Sequence, residues 1–184
     1  RQALLFILAL SGALIGFSWF YSKSVCFAVV MLIACVSVYT AFCKNIVFLD
    51  VLFIGLWGFF LSWVAIPDFS FTGIKLIGLL FLFGCCFEIV QTIKDYDHDK
   101  KYGLRTSPVV LGINPTFVIL RSLYVVSVLY TLVILREVVG LVLLIPLLFN
   151  KKQNMSTYWS KLKIICGIVW IVLMVRLYLG TLTL

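Results

Sequence analysis

Charge is what this chain has least of. Only 12% of its 184 residues are Asp, Glu, Lys or Arg, and just seven are acidic. With 64% hydrophobic residues and a mean hydropathy of +1.18, a soluble globular domain is excluded and an integral membrane protein is implied. No nucleic-acid partner is expected of such a chain. Histidine occurs once, as His98. The six cysteines (Cys26, Cys35, Cys43, Cys85, Cys86 and Cys166) lie in or at the ends of apolar runs, with no C-x-x-C or Cys/His metal spacing. They read as small apolar packing residues, not as a disulfide framework or a zinc site. No signal peptide, internal repeat or low-complexity segment is visible. The first residue is Arg1 in place of methionine, so the chain is expected to begin inside a longer parent.

What is present is a series of apolar runs of about the length that crosses a bilayer as a helix, roughly 20 residues. Seven are expected, over 3–21, 25–42, 46–66, 73–92, 115–135, 138–149 and 164–182. The fold class that follows is all-α, a multi-span transmembrane bundle of about seven helices in a single domain over 1–184. The sixth run is short and holds Pro146, so a broken segment or one tucked among its neighbours is expected. Asn114–Pro115 opens the fifth in the manner of a helix start.

Threading these spans alternately sorts the cations. Arg1, Lys44, Lys94, Lys100, Lys101, Arg105, Lys151, Lys152, Lys161 and Lys163 fall on one side, and Lys23, Lys75 and Arg136 on the other. By the positive-inside rule the first side is cytoplasmic. Arg121 and Arg176 lie within spans, where they are expected to snorkel or pair inside the bundle.

The stretch "IKDYDHDKKYGLRTSPVVLG", Ile93 to Gly112, concentrates charge on that first side. If the fourth helix continues past Thr92, Asp95 and Asp99 are one turn apart on a single face, and Glu88, Gln91 and Thr92 extend their stripe into the membrane. Two such carboxylates repel unless a cation lies between them. Mg²⁺ is held by one or two carboxylates together with substrate phosphates, and Lys94, Lys100, Lys101 and Arg105 would take the remaining phosphate charge. A metal–diphosphate site at a bilayer surface points to a lipid diphosphate. The plainer alternative is a solvated charge run that only fixes topology. Asp50, Asp68 and Glu137 read as boundary residues at helix ends, and His98 as a solvated neighbour of the acids. Glu88, about two turns inside an apolar helix, is costly unless paired.

The spacing D-x-x-x-D-x-x-x-G-x-x-[ST], here Asp95, Asp99, Gly103 and Thr106 closing on "PVVLG", resembles the second aspartate-rich motif of the UbiA superfamily of membrane prenyltransferases. "FEIVQTIKDYDHD" is similar to that family's "REIxKDxxDxxGD" approach, with Glu88 matching its glutamate. Phe87, Gln91 and Thr92 replace its arginine, lysine and aspartate. In "YTAFCK", Tyr39 and Lys44 resemble the family's "YS-x-x-x-K" element. The resemblance spans the chain as the third to ninth helices of a nine-helix fold. It implies an N-terminal two-helix segment carrying a first motif, N-D-x-x-D, ahead of "RQALLFILAL", and prenyl transfer is expected to require it.

The resemblance implies Mg²⁺-dependent transfer of a prenyl group from an isoprenyl diphosphate to an aromatic or lipid-alcohol acceptor. Asp95 and Asp99, with Asp97 as a third ligand, would hold the metal. Lys94, Lys100, Lys101, Arg105, Lys44 and Tyr39 would steady the diphosphate, supported by Glu88, Gln91 and Thr92. Alternatives are a non-catalytic relative lacking the first metal motif, and a lipid-binding or transport protein. The threading is directly testable. Cysteines introduced at positions 100 and 152 in a cysteine-free background should label from the same aqueous side, and labelling from opposite sides would overturn it.

Overall fold

The structure is a computed structural model that describes residues 2–65, 71–150 and 153–182. Arg1, the expected helix end at Ile66, Pro67, Asp68, Lys151 and Lys152 lie outside the described residues. In lipid a backbone has only itself to bond with, so long apolar runs become helices. The chain is an all-α bundle, with no strand among the described residues.

Helices α1 (Gln2–Tyr21) and α2 (Lys23–Ala41) form a hairpin joined at Ser22, whose hydroxyl caps α2 by accepting the Ser24 N–H at 3.2 Å. A short 3-10 turn (Cys43–Asn45) leads to α3 (Leu49–Ala65), and α4 (Phe71–Lys94) follows. Two small helices, α5 (Tyr96–Lys101) and α6 (Ser107–Leu111), fill the connection to α7 (Ile113–Leu129), which runs on through a π-helical turn at Tyr130–Ile134. A 3-10 segment (Val138–Leu148) and α8 (Met155–Tyr178) complete the order. Among the described residues, the helices over Lys23–Ala41, Thr72–Lys94 and Ile113–Ile134 are long and apolar enough to cross a membrane, and shorter apolar helices accompany them.

Two expected spans differ in detail. The sixth is a 3-10 segment of 11 residues. At about 2.0 Å of rise per residue it reaches roughly 22 Å, further than an α-helix of the same length, which offsets its shortness. The seventh begins at Met155, well before the expected 164. Asn154 caps it by accepting the Ser156 N–H at 2.8 Å. Its first turns are polar outside and apolar inside, with Tyr158, Leu162, Ile165, Cys166, Val169 and Leu173 buried along one stripe. A search for unbroken apolar runs sees only its later part. Lys161 and Lys163 therefore ride on α8 and not on the preceding loop.

Helix α4 is the hub, packed against α3, α7 and α8. It buries Leu76, Leu79, Phe83, Cys86, Ile89 and Val90, which meet Leu120, Tyr124 and Val128 of α7 and Leu162, Val169 and Leu173 of α8. Helix α1 packs on α2 and leaves Phe6, Phe17 and Phe20 exposed, as a lipid-facing helix does. At the bundle end away from the charged stretch, the Tyr130 hydroxyl donates to the Lys75 carbonyl at 2.8 Å, and the Arg176 guanidinium pairs with the buried Glu137 carboxylate. Arg176 thus pairs inside the bundle, and Glu137 is more than a boundary residue.

Helices α3 and α4 approach most closely through glycine. A Cβ added at Gly84 would stand 3.2 Å from both the Gly55 Cα and the Ile54 carbonyl oxygen. Small residues let membrane helices pack backbone to backbone. Gly84→Ala is accordingly expected to destabilise the bundle by about 1–3 kcal/mol through overpacking. Gly167→Ala in α8, whose added Cβ meets nothing within 4 Å, should stabilise by up to about 1 kcal/mol. Thermal unfolding in detergent checks the pair, and equal effects at the two positions would contradict the close crossing.

Candidate functional site

The charged stretch folds as two turns, not one continuous helix. Helix α4 stops at Lys94, Asp95 bends the chain with φ −89° and ψ 6°, and α5 restarts at Tyr96. Helical hydrogen bonds still cross the bend, from Asp95 N–H to Gln91 C=O at 2.9 Å and from Asp99 N–H to Asp95 C=O at 2.8 Å. The side chains nevertheless part. Asp95 Oδ2 accepts the Gln91 amide at 2.7 Å, back along α4, whereas Asp99 Oδ2 accepts the Thr106 hydroxyl at 3.2 Å, inside the following loop. Asp99 is buried at 3% exposure, Asp95 is half-buried and Asp97 is exposed.

The motif spacing has a local cause. Gly103, at φ 70°, takes the left-handed conformation that ends α5, and the Leu104 N–H returns to the Asp99 carbonyl at 2.9 Å. That reversal carries Thr106 back to the Asp99 carboxylate. Aspartate, glycine and threonine at these offsets therefore close one compact loop.

The Tyr39–Lys44 element is brought to the same end of the bundle. The Tyr39 hydroxyl donates to Glu88 Oε1 at 2.8 Å, which gives the carboxylate inside α4 the partner it requires. Lys44 is half-buried in the 3-10 turn that follows α2. Glu88 and Gln91 both line a cavity of about 560 Å³ between α3, α4 and the start of α8. Apart from Ser62, the rest of its wall is apolar and aromatic, with Trp57 and Leu61 from α3, Leu80, Phe83 and Phe87 from α4, and Trp159 from α8 among its residues. One end of this greasy chamber is thus polar, and Gln91 links it directly to Asp95.

Other expected site residues lie outside the cavity. Lys94, Lys100, Lys101 and Arg105 are exposed, with the Lys100 and Lys101 ammonium groups over the Tyr96 and Tyr102 rings at 5.6 and 6.0 Å. Thr92 is buried and its hydroxyl donates to the Ile89 carbonyl at 3.0 Å, so it belongs to the helix and not to the cavity. His98 is exposed beside Tyr102, a solvated neighbour as expected.

Two residues the sequence reading passed over hold the site together. Asp50, taken for a boundary residue, is fully buried and accepts both the N–H and the hydroxyl of Ser107. An acid in the first turn of an otherwise apolar α3, shortly after Lys44, was the signal. The Phe48 N–H donates to the Ser107 hydroxyl at 3.1 Å while Phe48 is held at φ 68°, a strained conformation worth about 1–3 kcal/mol.

Mg²⁺ keeps several waters and takes one or two carboxylates with substrate phosphates. Among the described residues no three His, Cys, Asp or Glu side chains gather as a cage. Asp95, half-open, fits an ion that arrives with a diphosphate and not one enclosed by protein alone, whereas the buried Asp99 is committed to Thr106.

A model of the UbiA prenyltransferase family matches residues 1–159. The chain therefore belongs to the UbiA prenyltransferase family, and prenyl transfer within a membrane is the general activity that membership implies. No curated protein matches, and no solved structure matches.

The loop geometry predicts the effect of Thr106→Val. Loss of a hydrogen bond to a buried carboxylate costs about 1.5–3 kcal/mol. Amide hydrogen exchange at Leu104 and Ser107 is expected to accelerate about tenfold or more, and unchanged protection would show that Thr106 does not hold the loop.

Proposed function

We propose that this protein transfers a prenyl group from an isoprenyl diphosphate to an aromatic or lipid-alcohol acceptor, with Mg²⁺, at the cytoplasmic face of a membrane. The observation that carries the reading is the aromatic cavity whose polar end is formed by Glu88 and by Gln91, the amide of which donates to Asp95. An isoprenoid tail fits apolar walls, and its diphosphate fits the charged end beside the acidic loop. The half-open Asp95, with the exposed Asp97, would hold Mg²⁺, which when bound supplies positive charge against the leaving diphosphate, while Asp99, bonded to Thr106, shapes the loop.

The chain's own residues divide the remaining work. Lys44 and the exposed Lys94, Lys100, Lys101 and Arg105 balance negative charge as the allylic C–O bond breaks and its electron pair leaves with the diphosphate. Phe83, Phe87, Trp57 and Trp159 shield the cationic carbon from water and present ring faces to it. The acceptor forms the new bond to that carbon and gives up a proton. Glu88, a carboxylate in the cavity wall steadied by Tyr39, is positioned to receive it. Thr92 has no part in this account because its hydroxyl is already spent within α4.

A second reading, a relative that binds prenyl diphosphate without turnover, draws on the absence of a three-ligand cluster among the described residues. One assay on the full-length protein in lipid vesicles separates the two. Release of inorganic diphosphate together with a prenylated acceptor supports transfer, whereas binding without release supports the second reading. Asp95→Asn is expected to weaken Mg²⁺-dependent binding of a prenyl diphosphate by about 10²-fold, the loss of a few kcal/mol, with His98→Ala near wild type. Wild-type binding by Asp95→Asn would remove the metal role from this loop.

A further inference from the structure

We propose that Asp50 and Ser107 form a clamp that positions the Lys44 turn against the aspartate loop, so that both halves of the diphosphate site reach one ligand together. The inference rests on the prenyl-diphosphate reading, because it assigns a positioning role within that site. Asp50 belongs to α3 and Ser107 to α6, a separation of 57 residues. Both carboxylate oxygens are engaged: the Ser107 N–H donates to Oδ2 at 2.8 Å and the Ser107 hydroxyl to Oδ1 at 2.7 Å. The Val51 N–H adds a further bond to Oδ1 at 2.9 Å. The Ser107 oxygen in turn accepts the Phe48 N–H. Asp50 is 0% and Ser107 2% exposed, so the carboxylate and its two bonds to Ser107 are buried. Buried polar networks that are fully satisfied rigidify what they join, and each bond is stronger in the low local dielectric.

The location of the network gives it a function. On one side Phe48 leads back within four residues to Lys44, in the turn that follows α2, whose Tyr39 hydroxyl holds Glu88. On the other, Ser107 directly follows Thr106, whose hydroxyl holds Asp99. The left-handed Phe48 sits at the joint, and strained backbone of this kind persists only where its surroundings over-determine it, commonly at ligand sites. Without the clamp, each turn keeps its own local bonds but loses its register with the other. A shift of about 1 Å in a substrate-positioning group costs on the order of 10²-fold.

Three measurements on the full-length protein in lipid vesicles test this: a distance, analogue binding and the two KM values. Spin labels at Asn45→Cys and Tyr102→Cys, both exposed positions, report the distance between the turns once the six native cysteines are replaced. Separately, unlabelled protein is titrated with farnesyl S-thiolodiphosphate, an unreactive analogue, in the presence of Mg²⁺. Wild type should give one narrow distance. Ser107→Ala should broaden it, weaken analogue binding about tenfold or more, and raise KM for the diphosphate while the acceptor KM stays as it was. Asp50→Asn, which can accept only one of the two Ser107 bonds, gives the same three readouts independently. An unchanged distance distribution in both variants overturns the clamp, as does unchanged binding alongside a broadened distribution. A wild-type protein that shows the narrow distance yet binds no analogue overturns the prenyl-diphosphate reading, and this proposal with it.

Discussion

A carboxylate buried in a lipid-embedded bundle must be met by a donor, and that requirement organises this chain. Of the six acids among the described residues, four are buried: Asp50, Glu88, Asp99 and Glu137. Each is met by a donor of its own: Ser107, Tyr39, Thr106 and Arg176. Three of these pairs join residues 57, 49 and 39 positions apart, so they close the tertiary structure where apolar contacts alone would let helices slide. Lipid offers helices little hydrophobic reason to associate in one register, which makes such polar pairs the specifying contacts.

Helix α4 shows how a single element serves both ends of that logic. Its middle is core, buried against α3, α7 and α8, and its glycine at 84 lets α3 approach backbone to backbone. Its last turns carry Glu88 and Gln91 into the wall of the aromatic cavity and end on Asp95. On the other side of the α3–α4 pair, a smaller cavity of about 330 Å³ is almost wholly apolar, lined by Phe81, Cys85 and Ile89 among others. Only the larger one couples a hydrophobic chamber to charge, which is what an amphiphilic diphosphate requires.

Much of this was legible in the residues. Apolar runs located seven helical segments, and the grouping of Asp95, Asp99, Gly103 and Thr106 pointed to one loop, for which the fold supplies a mechanical reason. Tyr39 and Lys44 were expected at the same end as Glu88, and the hydrogen bond from Tyr39 to Glu88 joins them. What escaped was whatever depends on contacts distant in sequence. Asp50 looked like a helix-end charge because nothing in its neighbourhood announces Ser107. Thr92 shares a helical stripe with Glu88, yet its hydroxyl turns to its own backbone, as threonine in a helix readily does. The early start of α8 was hidden because a half-polar first turn breaks an apolar run without breaking a helix.

The central claim is that the cavity between α3, α4 and α8 receives an isoprenoid whose diphosphate lies at the Glu88–Asp95 end. A photoactivatable prenyl diphosphate, cross-linked to the full-length protein in membranes and mapped by mass spectrometry, tests it most directly. Adducts on Trp57, Phe83, Phe87 or Trp159 that require Mg²⁺ and are displaced by unlabelled prenyl diphosphate are the predicted result. Adducts confined to the outer surface of α1, or to the groove around Val118 and Leu147, would contradict it.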